Sequence, residues 1–248
     1  MAGMKRGRFI MSNVKIELFI AHYMIIKGAN DYLKYSYHLT LDHIKLLYFL
    51  VNENNNEKYI DLNHLTKFEQ KTKILQMLKY LYQHHWILKE RKDEDQRKLS
   101  ITITELQKEK IHFLFSELLE IISSNQLIIN ARTKHSIQYY ITCNEMMSYI
   151  NQCLNEYNLT IEELYVLATL LINENEMTIK YMRYQTQRGV GALSPNIKKL
   201  KQKGYIIKER CVEDERSIIL KIKHCNMSLV VSIIESCYEI LKEGIKDI

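Results

Sequence analysis

The chemistry this chain can offer is concentrated in two short cationic stretches. The first is Lys89-Glu-Arg91-Lys-Asp-Glu-Asp95-Gln-Arg97, and the second is Lys208-Glu-Arg210-Cys-Val-Glu-Asp214-Glu-Arg216. In each, two arginines and at least one lysine are set among acids on a polar turn, and a carboxylate stands two residues before the last arginine. A guanidinium presents a rigid fork of donors suited to phosphate, and a nearby carboxylate can hold it in one orientation, lowering the ordering cost of binding. A solvated hairpin whose charges merely prevent edge-to-edge pairing explains one such loop. It explains less well the same loop written twice.

The recurrence extends further. Aligning Trp86–Ile103 with Tyr205–Ile222 gives eight identities in eighteen positions, where chance gives roughly one. Upstream, Leu39-Thr40-Leu41 to Leu50 resembles Leu159-Thr160-Ile161 to Leu170, so the offsets are 120 and 119. Two long copies indicate a duplicated domain rather than a solenoid of short repeats. Domains are expected at 11–124 and 125–248, with Met1, Met4 and Met11 each possible as the start.

The same elements are predicted in both copies. Long first helices run from Asn13 to about Tyr35 and from Ile137 to about Tyr157. Second helices begin at Thr40 and Thr160; Thr160-Ile-Glu-Glu163 fits a capping box, in which hydroxyl and carboxylate satisfy free backbone amides. A short strand and small helix follow at Tyr59 to Leu65 and at Met177 to Tyr184. Lys71 to Gln83 places Ile74, Met77, Leu78 and Leu81 on one helical face and Thr72, Gln76, Lys79 and Gln83 on the other. Leu99, Ile101 and Ile103 alternate with polar residues as in a half-buried strand. Closing helices are predicted from Thr104 to about Ile122, opened by the box Thr104-Glu-Leu-Gln107, and from about Asn226 to Lys242. This is the winged-helix plan, mainly α with small β-hairpins. Two tandem winged-helix domains arranged as a pseudo-dimer are the expected architecture.

Charge favours a nucleic-acid partner through its placement more than its total. The formal net charge is +6 from 35 basic and 29 acidic residues, which alone justifies only a suspicion. Lys67, Lys71, Lys73 and Lys79 cluster at the fourth helix of the first copy, and Lys198, Lys199, Lys201 and Lys203 at its counterpart. A helix of ~10–12 Å diameter fits the major groove, with flanking cations on phosphates. Arginine at a hairpin tip suits the narrow minor groove of A·T-rich duplex. The expected DNA-contacting residues are Lys71, Thr72, Lys73, Gln76, Asn196, Lys198 and Lys199 on the helices. In the hairpins they are Lys89, Arg91, Asp95, Arg97, Lys208, Arg210, Asp214 and Arg216.

The duplicated Lys-x-Arg-x-x-x-Asp-x-Arg wing, the long first helix and the two-copy length resemble the two-domain members of the staphylococcal accessory regulator (Sar) family, relatives of MarR-type winged-helix regulators. The resemblance implies a transcription regulator of virulence and exoprotein genes acting on A·T-rich promoter DNA, with the two copies standing in for two subunits. It also implies that Arg97 and Arg216 enter the minor groove, steadied by Asp95 and Asp214, while Arg91 and Arg210 add basic contacts. Gln96 replaces the glutamate kept at Glu215, so the first wing is expected to be less constrained. Gly189, Gly191 and Pro195 fall in the second groove-reading helix. Because proline is unfavourable inside a helix but favourable at its first position, that helix is expected to begin near Ser194.

Other classes are less well supported. A degenerate winged-helix module acting through protein–protein contact is the alternative, favoured by a broken second helix. Enzyme motifs for phosphate loops, dinucleotides, zinc proteases or serine hydrolases are absent from the sequence, so no catalytic residue, metal or cofactor is expected. His84-His85 reads as a helix end rather than a metal site. The five cysteines lack a C-x-x-C spacing, and Cys211, beside Arg210, is the candidate for a redox thiol. No apolar run approaches the ~20 residues of a membrane span, nor does a secretory h-region follow the basic start. A cytoplasmic chain without membrane attachment is expected, monomeric with higher assembly open.

Overall fold

The computed structural model describes residues 2–53, 60–61, 70–92, 95–124, 136–186, 190–211 and 216–246. Side chains of residues 2–12, 53, 60–61, 90–92, 95–100 and 190–192 are also outside that description. In the first repeat the order is α1 (Ala2–Tyr32), α2 (Leu41–Glu53), β1 (Ile60–Asp61), α3 (Lys71–Gln83), β2 (Leu88–Lys92), β3 (Asp95–Thr102) and α4 (Glu105–Ser123). The second repeat contains α5 (Ile137–Cys153), α6 (Ile161–Ile172), β4 (Glu176–Thr178), α7 (Ile179–Thr186), α8 (Val190–Gln202), β5 (Ile206–Arg210), β6 (Ile218–Ile222) and α9 (Met227–Gly244). The small helix expected after Tyr59 falls outside the described residues, as does the repeat boundary at 124/125. The protein is mainly helical, with a small antiparallel sheet in each winged-helix repeat.

Both sheets have the same connectivity, β1-β3-β2 and β4-β6-β5. Ile60 faces Ile101 and Leu88 faces Thr102; in the second sheet Met177 faces Leu220 and Ile206 faces Ile222. The last strand of each hairpin is therefore central, so the base of each wing is tied to a third strand, at Ser100 and Ile101 in the first sheet and at Ile219 to Lys221 in the second. A shift of register between Arg91 and Lys92 marks the first hairpin near its tip.

Local signals set the helix ends. Thr104 and Thr160 both form complete capping boxes, with Gln107 and Glu163 reaching back to the threonine amides at 2.9 Å. α3 stops in a left-handed His85 (φ 57°), with hydrogen bonds from Trp86 N–H to the Leu81 carbonyl and from His85 N–H to Tyr82. Gly204 (φ 78°) repeats that stop after α8, with Tyr205 N–H on Leu200 and Gly204 N–H on Lys201. This is the Schellman closure, which satisfies carbonyls left over at a helix end.

The helix α8 corrects the expectation of a start near Ser194. It begins at Val190 and carries Pro195 as its sixth residue. Proline has no N–H, so at this position it removes one intrahelical bond, the one that would reach the Gly191 carbonyl. Leu193, Ile197 and Leu200 are buried at helical spacing and hold the segment against the core. Packing outweighs a local cost confined to the second turn.

The chain forms two compact units. One contains the described residues of 1–26 and 142–248, and the other those of 27–124 and 134–141. In the first unit Phe19 of α1, Leu164 and Leu167 of α6, Leu193 and Leu200 of α8, and Val230 and Ile234 of α9 are buried. Tyr23 stacks on Tyr165 at 4.7 Å, and Lys15 pairs with Glu239 at 2.8 Å. In the second unit Ile44, Leu47 and Leu50 of α2, Ile74, Leu78 and Leu81 of α3, and Ile111, Leu114 and Leu118 of α4 form the core. Tyr140 of α5 belongs there too, donating its hydroxyl hydrogen to Asn30.

Candidate nucleic-acid interface

The α3 helix presents the faces its spacing predicted. Ile74, Leu78 and Leu81 are buried, whereas Lys71, Thr72, Gln76, Lys79 and Gln83 are exposed. Lys73 is half-buried and turned toward α2, where its ammonium lies 3.0 Å from the Asp42 carboxylate. It ties α3 to α2 as well as adding charge near the outer face. On α8, Lys198 and Lys199 are exposed and Asn196 is half-buried, while Ile197 and Leu200 point inward.

In the second hairpin Lys208, Arg210 and Arg216 are exposed, and the strands close through Cys211 N–H on the Ser217 carbonyl at 2.9 Å. Asp214 lies outside the described residues. In the first hairpin Arg91 occupies β2, and Asp95 and Arg97 occupy β3; their side chains also lie outside the description. Lys89 is half-buried, with its ammonium 5.5 Å from the Tyr82 ring centroid. Burial, and then the neighbouring Lys79, hold its pKa below the ordinary lysine value.

Three arrangements escaped charge counting. Lys203 donates to both oxygens of Glu163, at 2.9 and 2.7 Å, behind α8 rather than on its outer face. Lys221 of β6 bridges Glu176 of β4 and Glu209 of β5, 3.0 Å from each, and so neutralises the glutamate beside Arg210. Tyr181 and Tyr184 are exposed on α7, where Gln185 donates to the Tyr181 hydroxyl. The register pairs 176/221 would have revealed the bridge once β4 was placed beside β6; spacing along one strand does not.

His84 and His85 end α3 as expected of a helix terminus, with His84 stacked 4.2 Å from Tyr80. Among the described residues no cluster of three His, Cys, Asp or Glu side chains is placed to hold a metal ion. Cys211 is half-buried, whereas Cys143 and Cys237 are buried; burial, with Cys153 nearby, pushes the Cys237 thiol up to about 12. No helix among the described residues is long and apolar enough to cross a membrane.

A helix with an outward polar face, followed by a cationic hairpin and backed by a helical core, defines a winged helix-turn-helix protein. The family described as transcriptional regulator SarA/Rot matches residues 29–114 and again 148–233. HTH-type transcriptional regulator SarU of Staphylococcus aureus is 26% identical over 243 residues, covering 92% of this chain and 95% of SarU. The organic hydroperoxide resistance transcriptional regulator of Bacillus subtilis is 34% identical over 84 residues, 34% of this chain and 56% of that protein. Among solved structures, the MarR family regulator AbsC from Streptomyces coelicolor covers 43% of this chain and 72% of its own, at 15% identity and a TM-score of 0.39. Reduced AbfR bound to DNA covers 46% of this chain and 76% of its own, at 25% identity and a TM-score of 0.35. The chain belongs to the SarA/Rot family, with two copies of the family domain. It is a DNA-binding transcriptional regulator of the Sar type, and not an enzyme.

Proposed function

We propose that this regulator binds A·T-rich promoter DNA with both repeats, α3 and α8 reading the major groove and the two hairpins entering the minor groove. The observation that carries this reading is the pairing, in the second repeat, of exposed Lys198 and Lys199 on α8 with exposed Lys208, Arg210 and Arg216 on the following hairpin. Lys71, Thr72 and Gln76 form the corresponding outward set on α3. Arg97 and Arg216 are the minor-groove residues, with Asp95 and Asp214 orienting them. Domain limits of 11–124 and 125–248 make each repeat the counterpart of one subunit, the chain acts as a monomeric pseudo-dimer in the cytoplasm, and its targets include virulence and exoprotein genes. The α8 helix is as long as α3, 13 residues each, so the broken helix that favoured a protein-binding module does not exist.

The test is a gel-shift series on A·T-rich and G·C-rich duplexes with Arg97→Ala and Arg216→Ala. Each substitution is expected to weaken A·T-rich binding by ~1–3 kcal/mol, about five- to 150-fold. Retained affinity in both variants would take the hairpins out of the mechanism.

A further inference from the structure

The groove-reading helices are fastened to their cores by different chemistry. In the second repeat Glu163, at the start of α6, takes both bonds from Lys203, immediately after α8. The repeat offsets of 120 and 119 put His43 and His84 in those places in the first copy. His43 Nδ1 accepts from the Thr40 backbone N–H at 3.1 Å and lies 2.9 Å from Thr40 Oγ1. Its ring stands 4.7 Å from Tyr80, which stands 4.2 Å from His84. Tyr80 donates its hydroxyl hydrogen to the His38 carbonyl at 2.8 Å. A backbone amide can only donate, so Nδ1 carries a lone pair and the ring proton sits on Nε2.

We propose that His43 is a positioning residue for α3, and that the His43–Tyr80–His84 stack is a proton-sensitive fastening of the first reading helix that the Glu163–Lys203 pair does not share. The proposal rests on α3 being a DNA-reading helix. Protonation of Nδ1 removes the acceptor for the Thr40 amide. It leaves Nδ1–H only Thr40 Oγ1 to bond, and it sets a cation toward His84 across Tyr80. The charged groups around His43 do not cancel this. Asp42 on α2 favours the imidazolium, but its carboxylate is held by Lys73 of α3. On the opposite side Lys110 of α4 donates to the His84 carbonyl at 3.3 Å, with its ammonium 3.9 Å from the Trp86 ring centroid.

Burial holds the His43 pKa below the usual histidine value; Asp42 opposes it and His84 adds to it. The lowered folded value fixes the sign. The unfolded chain takes up the proton first, so the contribution is complete above about pH 6.5 and lost as pH falls through the lower folded value.

The test uses the full chain and fluorescence anisotropy on an A·T-rich duplex, at about pH 7.5 and about pH 5.5 with ionic strength held constant. His43→Gln keeps a carbonyl acceptor at the spacing Gln107 uses in the α4 cap but cannot titrate. The double variant His43→Glu/His84→Lys installs the second repeat's pair. Wild type is expected to lose roughly three- to tenfold more affinity on acidification than either variant. Identical pH profiles for wild type and a folded variant would overturn the proposal. If the wild type binds no DNA at either pH, the DNA reading fails, and imidazole ¹⁵N shifts with amide exchange decide this proposal separately. His43 protonation accompanied by faster exchange at residues 78–83 supports it, and protonation without that change overturns it.

Discussion

Lys199 and Lys203 lie one helical turn apart and do different work. Lys199 is exposed, whereas Lys203 has only 19% of its side chain exposed and ends on a Glu163 side chain with none. A carboxylate removed from water is tolerated when paired and hydrogen-bonded, and here Thr160 N–H and Lys203 share that task. Lys203→Met keeps the aliphatic stem and strands the anion; it is expected to cost ~3 kcal/mol of stability by urea unfolding. Lys199→Met is expected to change stability by less than ~0.5 kcal/mol while weakening DNA binding. Summed charge could not separate these lysines. The partner is forty residues upstream, and only Thr160-x-x-Glu163 as a cap was legible in advance. The substitution of His43 for Glu163 was equally visible in the aligned repeats, but its meaning depended on Tyr80 lying between the two histidines.

Helix boundaries followed chain chemistry closely at α3, at α4 and at the start of α6. α3 spans Lys71–Gln83, as its apolar spacing predicted. The local penalty of Pro195 is outweighed by Leu193, Ile197 and Leu200, which retain the helix through their burial and whose effect cannot be read from the proline alone. The Schellman closures provide a paired test. An added Cβ at Gly204 would meet only Lys223 Nζ at 3.6 Å, so Gly204→Ala is expected to destabilise by ~1 kcal/mol through its left-handed backbone. At His85 the same backbone already carries a side chain, so His85→Gly is expected to gain about 0.5 kcal/mol, the relief being partly offset by glycine's greater unfolded freedom. Thermal unfolding of the two variants gives opposite signs if the closures are equivalent.

Across the whole molecule, sequence order and compact units do not coincide. The unit holding α6 to α9 includes residues from the beginning of α1, and the unit holding α2 to α4 includes the beginning of α5. The duplication was legible because residue types recur; this sharing was not, because nothing in a helical stripe names the core it joins. A fragment of residues 125–248 is expected to lose the Phe19 and Tyr23 side chains that complete its core, and to unfold at least ~3 kcal/mol more easily than the same unit in the full chain. Adding residues 1–124 in trans is expected to restore near-ultraviolet dichroism from Tyr165. The long first helix thus makes the halves mutually dependent. A proteolytic nick or premature stop near the midpoint would not release a small working regulator; it would leave each piece with tyrosines exposed to aggregation and clearance, coupling loss of one half to loss of both.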